Sequence, residues 1–358
     1  MDFTFSAEQQ ELREAVRARA ADRSSSAQVR AAIDSETPGF DAGLWRVVGA
    51  EMGLLGVGVD EKLGGAGGGF VDAAVVVEEA GRALMPVPLL STVVAGQVLA
   101  RAGAAGSEAL GGVVSGEQPV AIGVTSSSLS TGGIGFGGTA AALSGSVANV
   151  VDGSVAASVV VATPDGLWLT RTDDKGVTVT ATPALDPTRP QATVRLDRAA
   201  AVAIGDGAAA GNAVDLLRVA LAVEAVGVSR RCLEATVDYL KTREQFGRVI
   251  GSFQALQHRA AEIAVEVEAA TSTAYYAAWA AEAAPEELPV VAPLALSVCA
   301  DAAWHAAAES IQLHGGIGFT WEHDAHLYFK RATTIRLLLG DAHEQRRLVA
   351  TRSGLHHA

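Results

Sequence analysis

The hydrophobic period of this chain changes twice along its length, and that change limits the fold more than any single residue does. From Ala208 almost to the end, four stretches keep an apolar stripe at helical spacing: Val214 to Lys241, Phe253 to Ala284, Pro289 to Leu313 and Ala325 to Leu338. Each runs at or beyond ordinary helix length, and alanine, which loses little entropy in a helix, fills them. Long striped helices of this kind hide their apolar faces against one another, which predicts a bundle. Between Pro119 and about Ile204 the pattern differs. Val, Thr, Gly and Ser dominate, and short runs of β type (Val120–Val124, Val155–Thr163, Leu167–Thr172, Val177–Thr182 and Ala192–Leu196) alternate with turn residues such as Pro164-Asp-Gly166. The middle is expected to be an antiparallel sheet or small barrel, an interruption that a single helical domain would not carry.

The N-terminal third reads as helical again. Ser6 is placed to cap a helix from Ala7 to Arg23, with Gln9 completing a capping box. Leu44 to Gly53 and Phe70 to Leu84 follow, separated by the turn Gly64-Gly-Ala-Gly-Gly-Gly69. Pro86 and Pro88 then break the chain before a helix from Leu90 to Gly103. The order is helical, β, helical. It predicts an α+β protein with an N-terminal helical domain (1–117), a middle β domain (118–206) and a C-terminal four-helix bundle (207–358).

Bulk properties narrow the function. A net charge of −13 leaves no electrostatic footprint for nucleic acid. Cys232 and Cys299 stand far apart and form no C-x-x-C pair, so they are expected to be core residues of a reduced, intracellular protein. The first residues, Met1-Asp-Phe-Thr-Phe-Ser6, lack a basic stretch and a long apolar stretch. Pro289 to Val298 is too short to cross a bilayer. A cytoplasmic location without a membrane partner is the expectation.

Two segments carry the chemistry: Thr242-Arg-Glu-Gln-Phe-Gly247, and Ser310-Ile-Gln-Leu-His-Gly-Gly-Ile-Gly-Phe319. An arginine is a fixed-charge fork suited to pyrophosphate oxygens, and paired glycines let backbone approach phosphate closely. With Leu44-Trp-Arg-Val-Val-Gly-Ala-Glu-Met-Gly-Leu-Leu-Gly-Val57 and Glu61-Lys-Leu-Gly-Gly-Ala-Gly67, these segments resemble the acyl-CoA dehydrogenase family over essentially the whole chain. The resemblance implies FAD as cofactor and an acyl-CoA thioester as substrate. In that family a glutamate takes the Cα proton while Cβ gives hydride to the flavin. It also implies that Arg243, Phe246, Gly247, Gln254, Gln312, Gly315 and Gly316 grip the ADP half of an FAD whose flavin lies in a neighbouring subunit. Arg218 falls where the family places an arginine near the CoA phosphates; the competing reading is a helix-surface arginine. His314 and Glu322 lie close by and read as solvated or structural.

The catalytic glutamate is missing from both places where the family carries it. One branch has it 24 residues after the first glycine of the pair, which is Leu339 here; another has it 29 residues before the Phe-Gly pair, which is Leu217. A leucine cannot take a proton. The nearby acids Glu224, Asp341 and Glu344 are the fallback bases, each with the competing reading of a solvated or ion-paired carboxylate. In the middle domain the flavin-wrapping stretches correspond to Ile122-Gly-Val-Thr-Ser-Ser127 and Val147-Ala-Asn-Val-Val-Asp152, without the family's acid or aromatic. Only Thr125 and Ser126 offer hydrogen bonds there. This split resembles the glutamate-lacking subunit of heteromeric α2β2 acyl-CoA dehydrogenases of actinobacterial steroid side-chain degradation. It implies a related glutamate-bearing subunit, in a heterodimer or heterotetramer. Three other readings stay open: a self-sufficient dehydrogenase with a displaced base, a flavin-dependent monooxygenase of the same fold, and a purely structural paralogue.

Overall fold

The structure is a computed structural model and describes residues 4–126, 130–132 and 140–355. Among the described residues the first part holds six α-helices: α1 (Ala7–Arg23), α2 (Ser26–Ile33), α3 (Ala42–Arg46), α4 (Phe70–Arg82), α5 (Leu89–Arg101) and α6 (Ser107–Val114). Seven strands follow: β1 (Val120–Val124), β2 (Ser130–Gly132), β3 (Ala140–Val151), β4 (Ser158–Thr163), β5 (Gly166–Arg171), β6 (Val177–Ala181) and β7 (Gln191–Asp206). The last part is α7 (Gly207–Thr242), a hairpin of β8 (Glu244–Gln245) and β9 (Arg248–Val249), α8 (Gln254–Ala283), α9 (Leu288–His314), α10 (Ala325–Leu338) and α11 (Ala342–Arg352). The helical, β, helical order is therefore observed.

By compactness the chain forms two units, each made of separate stretches. One contains 1–28, 74–85 and 218–358; the other contains 29–73 and 86–217. The second unit is built on the sheet, in the order β1-β4-β5-β7-β3-β2 with β6 also on β7. Its core is Leu143, Val147, Val150, Val159, Val161, Trp168, Val194 and Leu196, from the inward faces of four strands. β4 is buried on both faces, which its unbroken apolar run requires. The expected antiparallel pairing holds except between β1 and β4, which run parallel with Val120 beside Ser158 and Val124 beside Ala162. Sequence reading missed β2 and β3, whose small residues give little β signal, and saw only part of the 16-residue β7. It also began β4 too early. Asp152 sits at φ 59° in a turn, and Val155 donates its N–H to the Asp152 carbonyl before extended backbone resumes.

In the first unit α7, α8, α9 and α10 are the four expected bundle helices. α11 was not foreseen, although Asp341 and Glu344 start it with a complete capping box. Ser6 and Gln9 do the same for α1, as expected. α1 buries only Arg13, Val16 and Ala20. Its attachment is largely ionic: Arg13 and Arg17 reach Glu78 and Glu79 on α4, at 3.3 Å and 2.6 Å. Glu78, fully buried, also takes the Tyr275 hydroxyl from α8 and lies 3.3 Å from Arg230 on α7. Burial first, and the Glu78 charge second, push the Tyr275 phenol well above its ordinary pKa.

Leu288–Phe319 is long and apolar enough to cross a membrane by composition alone, longer than the run visible in the sequence. However, 61% of its most apolar window is buried inside the protein, so that apolarity serves the bundle core. Cys232 and Cys299 are both free and buried, as expected, and burial raises the Cys232 thiol to about 12.

Candidate cofactor-binding site

The two motif segments meet at one end of the helical unit. α7 ends at Thr242, and the chain turns back through β8 and β9, with Ile250 donating its N–H to the Arg243 carbonyl at 2.8 Å. Phe246 and Gly247 form the hairpin tip, at φ 55° and φ 76°. Two successive left-handed residues are what a tight two-residue hairpin demands; glycine takes that conformation freely and phenylalanine does not. The Phe246 ring is 90% exposed, with only an edge-on contact to Phe253, so its packing in this chain does little to offset the strain. The end of α9 lies alongside. The His314 ring stacks on Tyr239 of α7 at 4.5 Å, which brings the Gly-Gly segment next to the hairpin's base.

Arg243 is exposed and has no side-chain partner among the described residues. Gln254 opens α8, and Gln312 lies in the last turn of α9; both are exposed. Gly315 adopts φ 63° and ψ −142°, a conformation essentially closed to other residues, and ends α9. A Cβ at Gly315 or Gly316 would meet nothing within 4 Å, so space beside this backbone is open to a ligand. Beyond the glycines, Phe319 and Trp321 are 88% and 70% exposed, and Lys330 lies over the Trp321 ring at 4.5 Å. Sequence reading passed over these two aromatic rings; apolar residues directly after a glycine pair were the available signal. An unpaired guanidinium, open glycine backbone and exposed aromatic rings fit the ADP half of FAD, which offers pyrophosphate charge and a flat purine.

His314 is buried, with Nδ1 2.6 Å from the Ser310 carbonyl, and its second face packs on His323. It is structural, whereas Glu322 is exposed.

The acids around the missing base are differently employed. Glu224 is 2% exposed and pairs with Arg331 at 2.8 Å. The Asp341 carboxylate accepts the Glu344 N–H at 2.9 Å, and the Glu344 carboxylate accepts the Asp341 N–H at 3.0 Å. That backbone hydrogen bond holds the Asp341 carboxyl below its usual range. Leu217 is buried, and Leu339 is the half-buried C-cap of α10. Gln345 donates its amide to the Leu339 carbonyl at 2.5 Å and accepts Nε of Arg218 at 3.1 Å. Arg218 is 7% exposed, so it is not the helix-surface arginine of the competing reading.

In the sheet unit, the Thr125 N–H is bonded to the Ala162 carbonyl at 3.1 Å, while Ser126 is exposed. Ser127 lies outside the described residues. Asp152 is buried and accepts the Ser91 hydroxyl at 2.6 Å, a bond that fixes the end of β3.

Residues 6–117 match the acyl-CoA dehydrogenase N-terminal domain, and residues 205–354 match the acyl-CoA dehydrogenase C-terminal domain. The chain belongs to the acyl-CoA dehydrogenase family, whose members are FAD-dependent flavoproteins. It is 40% identical over 325 residues to the acyl-CoA dehydrogenase IpdE2 of Mycobacterium tuberculosis strain H37Rv, covering 91% of each chain. Among solved structures it resembles a chain of the Tcur3481-Tcur3483 steroid acyl-CoA dehydrogenase, G363A variant. The identity is 31% and the TM-score 0.87, with 97% of this chain and 98% of that one covered. It also resembles a chain of the ChsE4-ChsE5 complex of Mycobacterium tuberculosis, at 28% identity and a TM-score of 0.91 over the full length of both.

Proposed function

We propose that this chain is the non-catalytic subunit of a heteromeric acyl-CoA dehydrogenase, working with a related chain that carries the glutamate. It contributes the ADP-binding half of a shared FAD site in α,β-dehydrogenation of an acyl-CoA, in the cytoplasm. One observation carries the reading. The three fallback acids are committed to structure, Glu224 in its pair with Arg331 and Asp341 with Glu344 in a capping box, while Arg243, Gln254 and Gln312 are exposed and their side chains make no bond among the described residues. The same commitments weigh against a self-sufficient enzyme with a displaced base.

When bound, FAD supplies hydride acceptance. Arg243 would meet the pyrophosphate charge, and the backbone at Gly315 and Gly316 would lie against it. Phe246 and Phe253 would cover the neighbouring apolar surface and exclude water. Gln345 and Arg218 fix the Leu339 turn, where a leucine stands in the place of the base. The similar proteins ChsE4-ChsE5 and Tcur3481-Tcur3483 are two-component assemblies, and the second is a steroid acyl-CoA dehydrogenase. Both support a partner subunit here, and the second supports a bulky, steroid-derived acyl group as substrate.

The deciding experiment is the flavin-to-chain ratio, read from visible absorbance. Purified alone, the chain is expected to carry little FAD; co-expressed with a glutamate-bearing paralogue, the pair is expected to hold one FAD per two chains. One FAD per chain in the isolated protein, with turnover, would overturn the proposal.

A further inference from the structure

His314 ties three parts of the candidate cofactor site together. It is 4% exposed, and its Nδ1 lies 2.6 Å from the Ser310 carbonyl, one turn earlier on α9. A carbonyl oxygen can only accept, so the imidazole carries its proton on Nδ1, and that bond fixes the direction of the ring. The ring so held is the shared member of two contacts. Tyr239 of α7 packs on it at 4.5 Å with a 30° tilt, and His323 at 4.4 Å with a 48° tilt. His323 is itself fixed, because its Nδ1 accepts the Ala325 N–H at 3.2 Å where α10 begins.

Each ring belongs to a different segment of the site. The Tyr239 carbonyl accepts the Arg243 N–H at 2.9 Å, so Tyr239 is the root from which that arginine projects. His314 directly precedes Gly315, where the chain leaves α9 at φ 63°. His323 follows the exposed Trp321 by two residues. The turn after the glycines also folds back on His314. A Cβ at Gly318 would come within 3.0 Å of the His314 Cβ and 2.6 Å of the Ile311 carbonyl oxygen, too close for any other residue.

What the rings control is a spacing. The Arg243 side chain is exposed and has no partner among the described residues, so its reach follows from where its backbone stands. The glycine backbone has no side chain with which to adapt. A ligand gripped by both is held tightly only where their spacing is set beforehand, since ordering them on binding costs affinity. Ring-on-ring packing has a preferred geometry that an aliphatic side chain of similar bulk does not reproduce.

We infer that His314 is a positioning residue of the cofactor site: through its contacts with Tyr239 and His323 it fixes Arg243 and the Gly315–Gly316 backbone relative to each other, ready for one diphosphate group. It acts without touching the cofactor. The inference rests on the ADP-binding reading of the site and adds the residue that preorganises the grip.

The test is calorimetric titration of the isolated full chain with ADP, the probe for that half of the cofactor. His314→Leu should weaken ADP binding about fivefold or more, and His314→Phe, which keeps a flat ring, should recover most of the loss. In an Arg243→Ala background there is no guanidinium to position, so His314→Leu should change the affinity no further. Tyr239→Leu removes the same contact from the α7 side and should weaken ADP alike, which keeps the test decisive where His314→Leu folds poorly. Wild-type affinity in both leucine variants would overturn the inference. So would a His314→Phe protein as weak as His314→Leu, or an equal loss with and without Arg243. A wild-type chain that binds no ADP would sink the ADP-binding reading itself, and the inference would fall with it.

Discussion

Glu224→Gln separates a structural carboxylate from a catalytic one. The substitution keeps the side chain's shape and removes its charge, leaving the Arg331 guanidinium, itself 2% exposed, without its 2.8 Å carboxylate partner. Breaking one side of a buried ion pair costs about 3–5 kcal/mol, and the retained amide places this variant near 3. With a guanidinium slope of roughly 2–6 kcal/mol per molar, the unfolding midpoint of the helical unit should fall by about 0.5–1.5 M. The double variant Glu224→Gln/Arg331→Met should recover most of the loss, because replacing a whole buried pair by well-packed neutral groups is close to neutral. Circular dichroism in guanidinium measures all three proteins. A Glu224→Gln protein with an unmoved midpoint, but with turnover abolished in the assembled enzyme, would refute the reasoning and make Glu224 a base.

Two neighbouring glycines should respond differently. Gly315→Ala meets a forbidden backbone conformation and should destabilise by about 1–3 kcal/mol. Gly316→Ala enters open space, and should leave thermal stability unchanged while lowering FAD retention in the co-expressed pair. Tyr275→Phe should lose about 1–3 kcal/mol with its hydrogen bond to a buried carboxylate. Because burial and Glu78 raise the folded phenol's pKa, Tyr275 stabilises most below its unfolded value near 10 and loses that contribution as pH rises further. Stability measured from pH 9 to 11 should therefore fall less steeply in the variant than in the wild type. Asp341 has the opposite sign. Its folded pKa is lowered, so its contribution is present above the usual carboxylate value near 4 and is lost on acidification. Asp341→Asn should flatten the decline in the unfolding midpoint between pH 5 and pH 3.

The helical, β, helical plan was legible because it rests on periodicity, and periodicity survives without knowledge of contacts. Strands β2 and β3 were not legible. Runs such as Ala140-Ala-Ala-Leu-Ser-Gly-Ser146 carry neither branched residues nor alternation, and β7 imposes their pairing. At the candidate site, the family resemblance pointed to Arg243, Gly315 and Gly316, and the structure brings their two segments to one end of the bundle. The commitments of Glu224, Asp341 and Glu344 were left open at the sequence level. An ion pair with Arg331, 107 positions away, has no local signature. The capping box did have one, since Asp341 and Glu344 have its spacing ahead of a helix. Glu78 and Glu79 in the middle of an apolar helix were a similar signal of buried pairing that went unread.

The ionic seat of α1 also sets a timetable for the growing chain. Arg13 donates to Tyr275, which is made 262 residues later, and both close on the carboxylate of Glu78. At roughly 5–20 residues per second, ribosomal synthesis leaves Arg13 waiting about 13–50 seconds for that tyrosine. Through that interval, two adjacent glutamates in the apolar middle of α4 have no complete set of partners and belong in water. Helix α1, although made early, therefore takes its place among the last elements to settle.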